Sequence, residues 1–395
     1  MKRSIVFLNS VFPCLSETFV YDQFQALRSA GLEFDIASNH KPQATEVHPR
    51  MRDIQNQVHY LCAAGLAEIL AAHGRIFLKR PWRYLKALFS APFLDERLIV
   101  SLSQMTGAAI LLRRFAHRPH LHIHAHFTYG AAGVALWAQW LDSVPYSLTL
   151  HGSDLIFDNP PDLETKLSSA DALVSISRFN IDFLQTHFPK VRPRHLAIIP
   201  MGIPPLENVQ HSTGRAEVLR LLTVGRLSNH KAQHFLIDAC AILQARGVKF
   251  LCDIVGEGDK REFLETRIRE SRLESCVRLL GPRFHHQVLE MYRDTDLFVL
   301  CSITEGQPVV LMEAMRAGIP LVATAIAAIP ELVQDAGMLV PPSDSLALAD
   351  AIERFAHGGV SWQDMTARAR AIIAESYDLE KNSLRFKGFL ETLPV

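Results

Sequence analysis

The stretch Thr304-Glu305-Gly306-Gln307-Pro308-Val309-Val310-Leu311-Met312-Glu313 places two carboxylates eight positions apart, the first ahead of a Gly-Gln-Pro turn and the second inside an apolar run. Upstream, Leu297-Phe298-Val299-Leu300 reads as a buried parallel strand. Pro308 suits the first turn of a helix, where its missing N–H costs nothing. Glu305 is therefore expected on the loop at the carboxyl end of a strand. Glu313, about 1.5 turns into the helix, is expected to point back toward that loop. The N–H groups of Gly306, Gln307 and Val309 would open outward at the helix N-terminus and attract an anion. Two acids able to grip hydroxyls beside an anion cradle suit a nucleotide-sugar.

Cations are found on other strand ends. Val224-Gly225-Arg226-Leu227-Ser228-Asn229-His230-Lys231 follows a strand, with Gly225 allowing a tight exit and Arg226 and Lys231 near a helix start, as a diphosphate needs. A solvated basic loop has the same composition. Val255-Gly256-Glu257-Gly258 also follows a strand, but the third glycine of G-x-G-x-x-G is absent, Arg261 standing in its place. A tight strand–helix turn is the better reading, and it argues against an NAD-dependent oxidoreductase. Thr149-Leu150-His151-Gly152-Ser153-Asp154 ends another strand; His151 and Asp154 could reach hydroxyls there, or His151 could be satisfied by local backbone.

His122, His124 and His126 alternate along a strand and share one face. No carboxylate or cysteine stands at ligand spacing, so a metal is not expected. His126, nearest the strand's end, is the one expected to face a ligand. Asp294-Thr295-Asp296 has a D-x-D form but precedes its strand, which points to structural capping. Arg75, Lys79, Arg80, Arg83 and Lys86 interleave with Phe77, Trp82, Leu85 and Phe89; segment 75–118 holds nine basic residues against Asp95 and Glu96. Such helices either lie on an anionic membrane or show a solvated basic face, and Pro81 breaks any single interfacial helix.

These residues need a scaffold that presents strand ends. Alternating strand and helix segments run through the chain, which implies parallel sheets covered on both faces. Strands are expected at Ile5–Leu8, Phe34–Ala37, Leu121–Ala125, Tyr146–Leu150, Ala172–Ser175 and Leu196–Ile199, then at Leu219–Val224, Phe250–Val255, Val277–Leu280, Leu297–Leu300 and Pro320–Ala323. Pro200-Met201-Gly202-Ile203-Pro204-Pro205 breaks the series. It divides residues 1–204 from 205–378, with a last helix over 379–395. At 395 residues two domains are the default, with ligand between them at strand ends. A net charge of zero gives no reason to expect nucleic-acid binding. Six scattered cysteines without a C-x-x-C pair read as reduced thiols in a cytosolic protein. The apolar start is too short for a secretory signal, and no run reaches the ~20 residues that span a bilayer.

VGRLSNHK, IVGEGDKR, TEGQPVVLMEAMRAGIPLVAT and IPELV, in this order and spacing, resemble the retaining glycosyltransferases of family 4. The resemblance covers nearly the whole chain. The start Phe12-Pro13-Cys14-Leu15-Ser16-Glu17-Thr18-Phe19 is similar to bacterial exopolysaccharide enzymes of the colanic acid and amylovoran type. It implies a GT-B fold of two facing Rossmann-like domains, with the final helix crossing back to the first. It implies that Arg226 and Lys231 hold the diphosphate of a UDP- or GDP-linked sugar without a metal. Glu305, with the amides of Gly306 through Val309, would contact the hexose, and Glu313 the ribose. His151 would contact the sugar and help stabilise the transition state, Gly281-Pro282-Arg283 would lie against the base, and Glu257 would belong to the donor pocket. Ser16, Glu17, Thr18, His126 and Asp154 fall on the acceptor side, Ser16 as a possible helix cap. The acceptor implied is a glycan, undecaprenyl-diphosphate-linked, on the inner face of the cytoplasmic membrane; a soluble acceptor or a non-catalytic binding partner is the alternative. Family members often carry glycine at Ala232 and Ala328, and a Gly-Gly loop where this chain has Pro13–Thr18.

Overall fold

A computed structural model describes residues 3–14, 17–43, 47, 49–90, 98–156, 160–206, 217–358 and 361–393. The chain divides into two compact units, Met1–Gly202 with Leu379–Val395, and Ile203–Asp378.

The first unit is built on β1 (Ser4–Val11), β2 (Phe34–His40), β3 (Val58–Tyr60), β4 (Leu121–His126), β5 (Tyr146–Leu150), β6 (Ala172–Ser175) and β7 (His195–Ile198). They form one seven-stranded sheet in the order β3-β2-β1-β4-β5-β6-β7. Every pair is parallel. The order reverses between β1 and β4, and in such sheets ligands bind outside the carboxyl ends at that reversal. Helix Gly130–Asp142 is apolar almost all round and buries nine residues. Its small residues permit close approach to helix Leu98–Arg114: a Cβ on Gly133 would fall 2.2 Å from Gln104 Oε1. Helix Gly130–Asp142 is therefore a core helix.

Helix Leu379–Thr392 completes the first unit, burying Asn382, Phe386 and Leu390 at four-residue spacing. Phe386 packs its ring 5.0 Å from that of His124 and 6.2 Å from that of Phe7. Asn382 Nδ2 donates to Pro200 O at 3.1 Å, and Lys387 Nζ to Ala30 O at 2.8 Å.

The second unit carries β8 (Leu219–Val224), β9 (Phe250–Val255), β10 (Val277–Gly281), β11 (Leu297–Leu300), β12 (Leu321–Thr324) and β13 (Met338–Val340). Their order is β10-β9-β8-β11-β12-β13, again all parallel. Its reversal point lies between β8 and β11, so the loops after these two strands are neighbours. Eleven strands agree with the segments expected from sequence to within a few residues. The two unforeseen strands, β3 and β13, are three-residue edge strands, too short to carry a period.

Candidate active site

The loop after β8 is fixed by its neighbours. Gly225 N donates to Val255 O and Leu227 N to Glu257 O, each at 2.9 Å, so the loops after β8 and β9 run against each other. This contact is why Gly256 and Gly258 are glycines: a Cβ would lie 1.9 Å from Gly225 O at the first and 2.2 Å from Leu227 O at the second. On its other side the loop joins the one after β11, Ile303 N donating to His230 O at 2.9 Å. Lys231 runs its methylenes over Gly225, and its ammonium pairs with Glu305 Oε1. Ser302 Oγ donates to the same oxygen at 2.6 Å, and Ser302 O accepts from Thr324 Oγ1 at 2.5 Å. Glu305 is thus buried yet anchored from β8, β11 and β12. Arg226, on the same loop as Lys231, is exposed.

Helix Val309–Ala317 begins four residues after Glu305, with Pro308 just outside it in extended conformation and not within its first turn. Its leading amides, which a helix leaves without internal partners, open there. Glu313 is buried one turn on. Its Oε1 accepts from His285 Nε2 at 2.7 Å and its Oε2 from Tyr292 Oη at 3.2 Å.

In the first unit, His126 ends β4 and His151 directly follows β5. His126 Nδ1 lies 3.1 Å from His151 Nε2. Burial lowers the pKa of His126 to about 3 and that of His151 well below its ordinary value, so both are neutral at neutral pH and one donates to the other. Phe127 and Phe19 flank His151, with ring centroids 4.2 and 5.2 Å away. Asp154 accepts from the amides of His151 and Thr128, both at 2.9 Å, and burial raises its pKa to about 7.

Two family models match this chain: glycosyltransferase family 4 over residues 16–205 and glycosyl transferases group 1 over residues 218–357. The chain belongs to the family 4 glycosyltransferases. The putative colanic acid biosynthesis glycosyltransferase WcaL of Salmonella typhimurium is 28% identical over 421 residues, covering 100% of both chains. The amylovoran biosynthesis glycosyltransferase AmsK of Erwinia amylovora is 35% identical over 187 residues, 45% of this chain and 46% of that one. Sucrose-phosphate synthase from Thermosynechococcus elongatus matches with a TM-score of 0.74 over 99% of each chain, at 18% identity. Anabaena HepE in complex with UDP-glucose matches with a TM-score of 0.71, 99% of this chain and 100% of that one, at 19% identity. The fold of this glycosyltransferase is GT-B.

The glycosyltransferase brings together Gly225, Arg226, Lys231, Glu305, Gly306, Gln307, Pro308 and Val309 on the adjoining loops after β8 and β11. Glu257 turns away to Arg261, its Oε2 3.0 Å from Nη1, and Arg283 is exposed with Nη1 donating to Pro282 O at 3.1 Å. Several expectations need correction. His126 does not face a ligand: it is fully buried against Phe7, Phe24 and His151, because a central strand of a covered sheet has no open face. Asp154 is also fully buried, both oxygens taken by backbone amides, so it braces the His151 loop and does not reach outward. Ser16 lies outside the described residues. Glu17 occupies the N-cap of the helix that Thr18 begins, without a side-chain capping bond, and burial raises its pKa to about 7. Ala232 takes the left-handed conformation at φ +51°, a backbone that glycine adopts without the Cβ strain alanine carries. Near the other expected glycine position, the left-handed residue is Ala327 at φ +44°, while Ala328 has φ −84°.

His285, Tyr292, Ser302 and Thr324 were not foreseen. His285, Tyr292 and Ser302 touch a site residue directly and Thr324 acts through Ser302; only Ser302, three residues before Glu305, had a local signal. Asp296 Oδ2 accepts from Arg220 N at 2.8 Å, a capping contact that occupies the D-x-D segment. His122 and His124 share Ser147 Oγ at 2.8 Å each, and no cluster suited to a metal occurs among the described residues.

Proposed function

We propose that this glycosyltransferase moves a hexose from a UDP- or GDP-sugar to a lipid-linked glycan, with retention of configuration, in the assembly of a cell-surface polysaccharide. The observation that carries the donor half is the Lys231–Glu305 pair on the loops flanking the second sheet's reversal point, beside the N-terminus of helix Val309–Ala317. Breaking the bond from anomeric carbon to phosphate oxygen leaves an oxocarbenium-like sugar and a nucleoside diphosphate with added negative charge. Arg226, Lys231 and the helix amides are assigned to that charge, without a divalent ion. Glu305, its Oε1 already bonded, is assigned to hold the hexose. The acceptor hydroxyl attacks from the departing phosphate's side, and a phosphate oxygen takes its proton. Glu313 is assigned to the ribose hydroxyls.

The membrane part of the reading is supported by where apolar side chains are exposed. Ten of the sixteen large exposed ones among the described residues lie between Leu66 and Leu102, including Leu78 at 82%, Trp82 at 83% and Ile99 at 83%. Five of the nine basic residues of segment 75–118 are ion-paired within the protein: Lys79 and Arg80 with Asp142, Arg113 and Arg114 with Glu68, and Arg118 with Asp35. Attachment at a bilayer surface is therefore assigned chiefly to apolar insertion, with Arg75 and Lys86 assisting. No described helix is long and apolar enough to cross a membrane. The relatives named for colanic acid and amylovoran synthesis support the polysaccharide setting.

The deciding experiment incubates the protein with a panel of UDP- and GDP-sugars, with and without EDTA, and reads hydrolysis or transfer and the product anomer by NMR. Turnover with an α-linked donor giving an α-linked product, unaffected by EDTA and lost in Glu305→Ala and Lys231→Ala, is expected. Inversion, metal dependence or unchanged variants would each overturn the corresponding assignment. For the membrane, Trp82→Glu with Leu78→Glu is expected to abolish liposome co-sedimentation.

A further inference from the structure

Glu313 is held on both sides by one neighbouring helix, His285–Arg293. His285 Nε2 contacts one carboxylate oxygen at 2.7 Å and Tyr292 Oη the other at 3.2 Å; Tyr292 Oη also lies 3.3 Å from Val310 O. An ionised carboxylate only accepts, so in this contact His285 Nε2 carries a hydrogen. Each carboxylate oxygen has a second lone-pair direction, so one acceptor position remains on each of the two oxygens. Two hydroxyls on neighbouring carbons match that pair of acceptors. The two anchors differ: Tyr292 is fully buried, whereas the His285 side chain is 40% exposed over a Glu313 side chain that is 8% exposed. An unanchored glutamate would lose rotamer freedom when a ligand bound, and this one has lost it already.

We infer that His285 is a positioning residue for ribose recognition, locking the Glu313 carboxylate so that its remaining acceptors meet the 2′ and 3′ hydroxyls of a bound nucleotide. The inference rests on the assignment of Glu313 to ribose made above. It makes His285 a determinant of ribonucleotide over deoxyribonucleotide preference, while Tyr292, fully buried, acts on the far oxygen.

The test titrates the full chain with UDP and GDP by calorimetry, then compares the tighter binder with its 2′-deoxy counterpart. Wild-type protein is expected to prefer the ribonucleotide by roughly tenfold or more, the scale of one hydrogen bond to a charged group. His285→Leu should bring the two affinities to within about threefold of each other by weakening the ribonucleotide alone. His285→Gln, which keeps an N–H donor, should retain most of the preference. Glu313→Gln separates the two levels of the reading. An unchanged preference in Glu313→Gln, or none in wild type, overturns the ribose assignment itself. A preference lost in Glu313→Gln but kept in His285→Leu overturns only the positioning role. Equal weakening of both nucleotides in His285→Leu marks a structural part for His285 and overturns it as well.

Discussion

Lys231 and Glu305, 74 positions apart, form an ion pair in which Ser302 Oγ also binds the glutamate's Oε1 at 2.6 Å. The pair is available before any ligand arrives, because backbone hydrogen bonds tie the loops after β8 and β11 together. The cation assigned to the diphosphate is thus held beside the acid assigned to the sugar.

Removing one partner should therefore be worse than removing both charges. Lys231→Ala leaves a buried carboxylate unpaired and is expected to cost about 2 kcal/mol, below the range for a fully buried pair because Lys231 retains 25% side-chain exposure. The double variant Lys231→Met/Glu305→Gln should recover most of that stability while remaining inactive. Urea unfolding of the two variants beside a turnover assay checks both halves.

Asp154 predicts a pH dependence of stability. Its folded pKa of about 7 lies above the ordinary 3.8, so between about pH 4 and pH 7 the folded protein keeps a proton that the unfolded chain releases. The stability this group contributes is full below pH 4 and is lost as pH rises through 7. Asp154→Asn removes the titration and gives up one of two backbone hydrogen bonds, about 1 kcal/mol. Denaturation at pH 5 and pH 8 should show a smaller drop with rising pH in Asp154→Asn than in wild type; equal drops refute the assignment.

The alanines give a signed comparison. Ala232 and Ala327 pay for left-handed backbone, about 1 kcal/mol each. Glycine at either is expected to be neutral or stabilising by up to about 1 kcal/mol, after the entropy glycine adds to the unfolded chain. Ala328→Gly, at an ordinary φ, should destabilise by about 0.5–1 kcal/mol. Thermal melts of the three variants read the difference in sign.

The last helix should carry unequal weight along its length. Phe386, 1% exposed between Phe7 and His124, is expected to cost about 3–5 kcal/mol as Phe386→Ala. Leu384, 57% exposed two residues earlier, should change stability by under about 0.5 kcal/mol as Leu384→Ala. Urea midpoints distinguish them.

The strand β11, the loop bearing Glu305 and the start of the helix that follows were all legible in the seventeen residues from Leu297 to Glu313, as were Gly225, Arg226 and Lys231 after β8. Each of these depends on local physics: a buried apolar run, a proline near a helix start, a glycine leaving a strand. What those features could not reveal was the state of each polar group. The alternation at His122, His124 and His126 correctly placed three imidazoles on one face, but it could not say that helix Leu379–Thr392, more than 250 positions away, supplies Phe386 to cover that face. The basic helices were visible as a charge run, while the acids that pair with them, Asp142, Glu68 and Asp35, are separated from them by 45 to 83 positions. His285 and Tyr292 met Glu313 only because helix His285–Arg293 packs beside helix Val309–Ala317. The sequence by itself determined the alternating elements and the residue types at their ends, since strand and helix periods are set by neighbours a few positions apart. Tertiary structure alone decided which of those residues are anchored, neutral or buried, since that depends on desolvation and on partners brought together by folding.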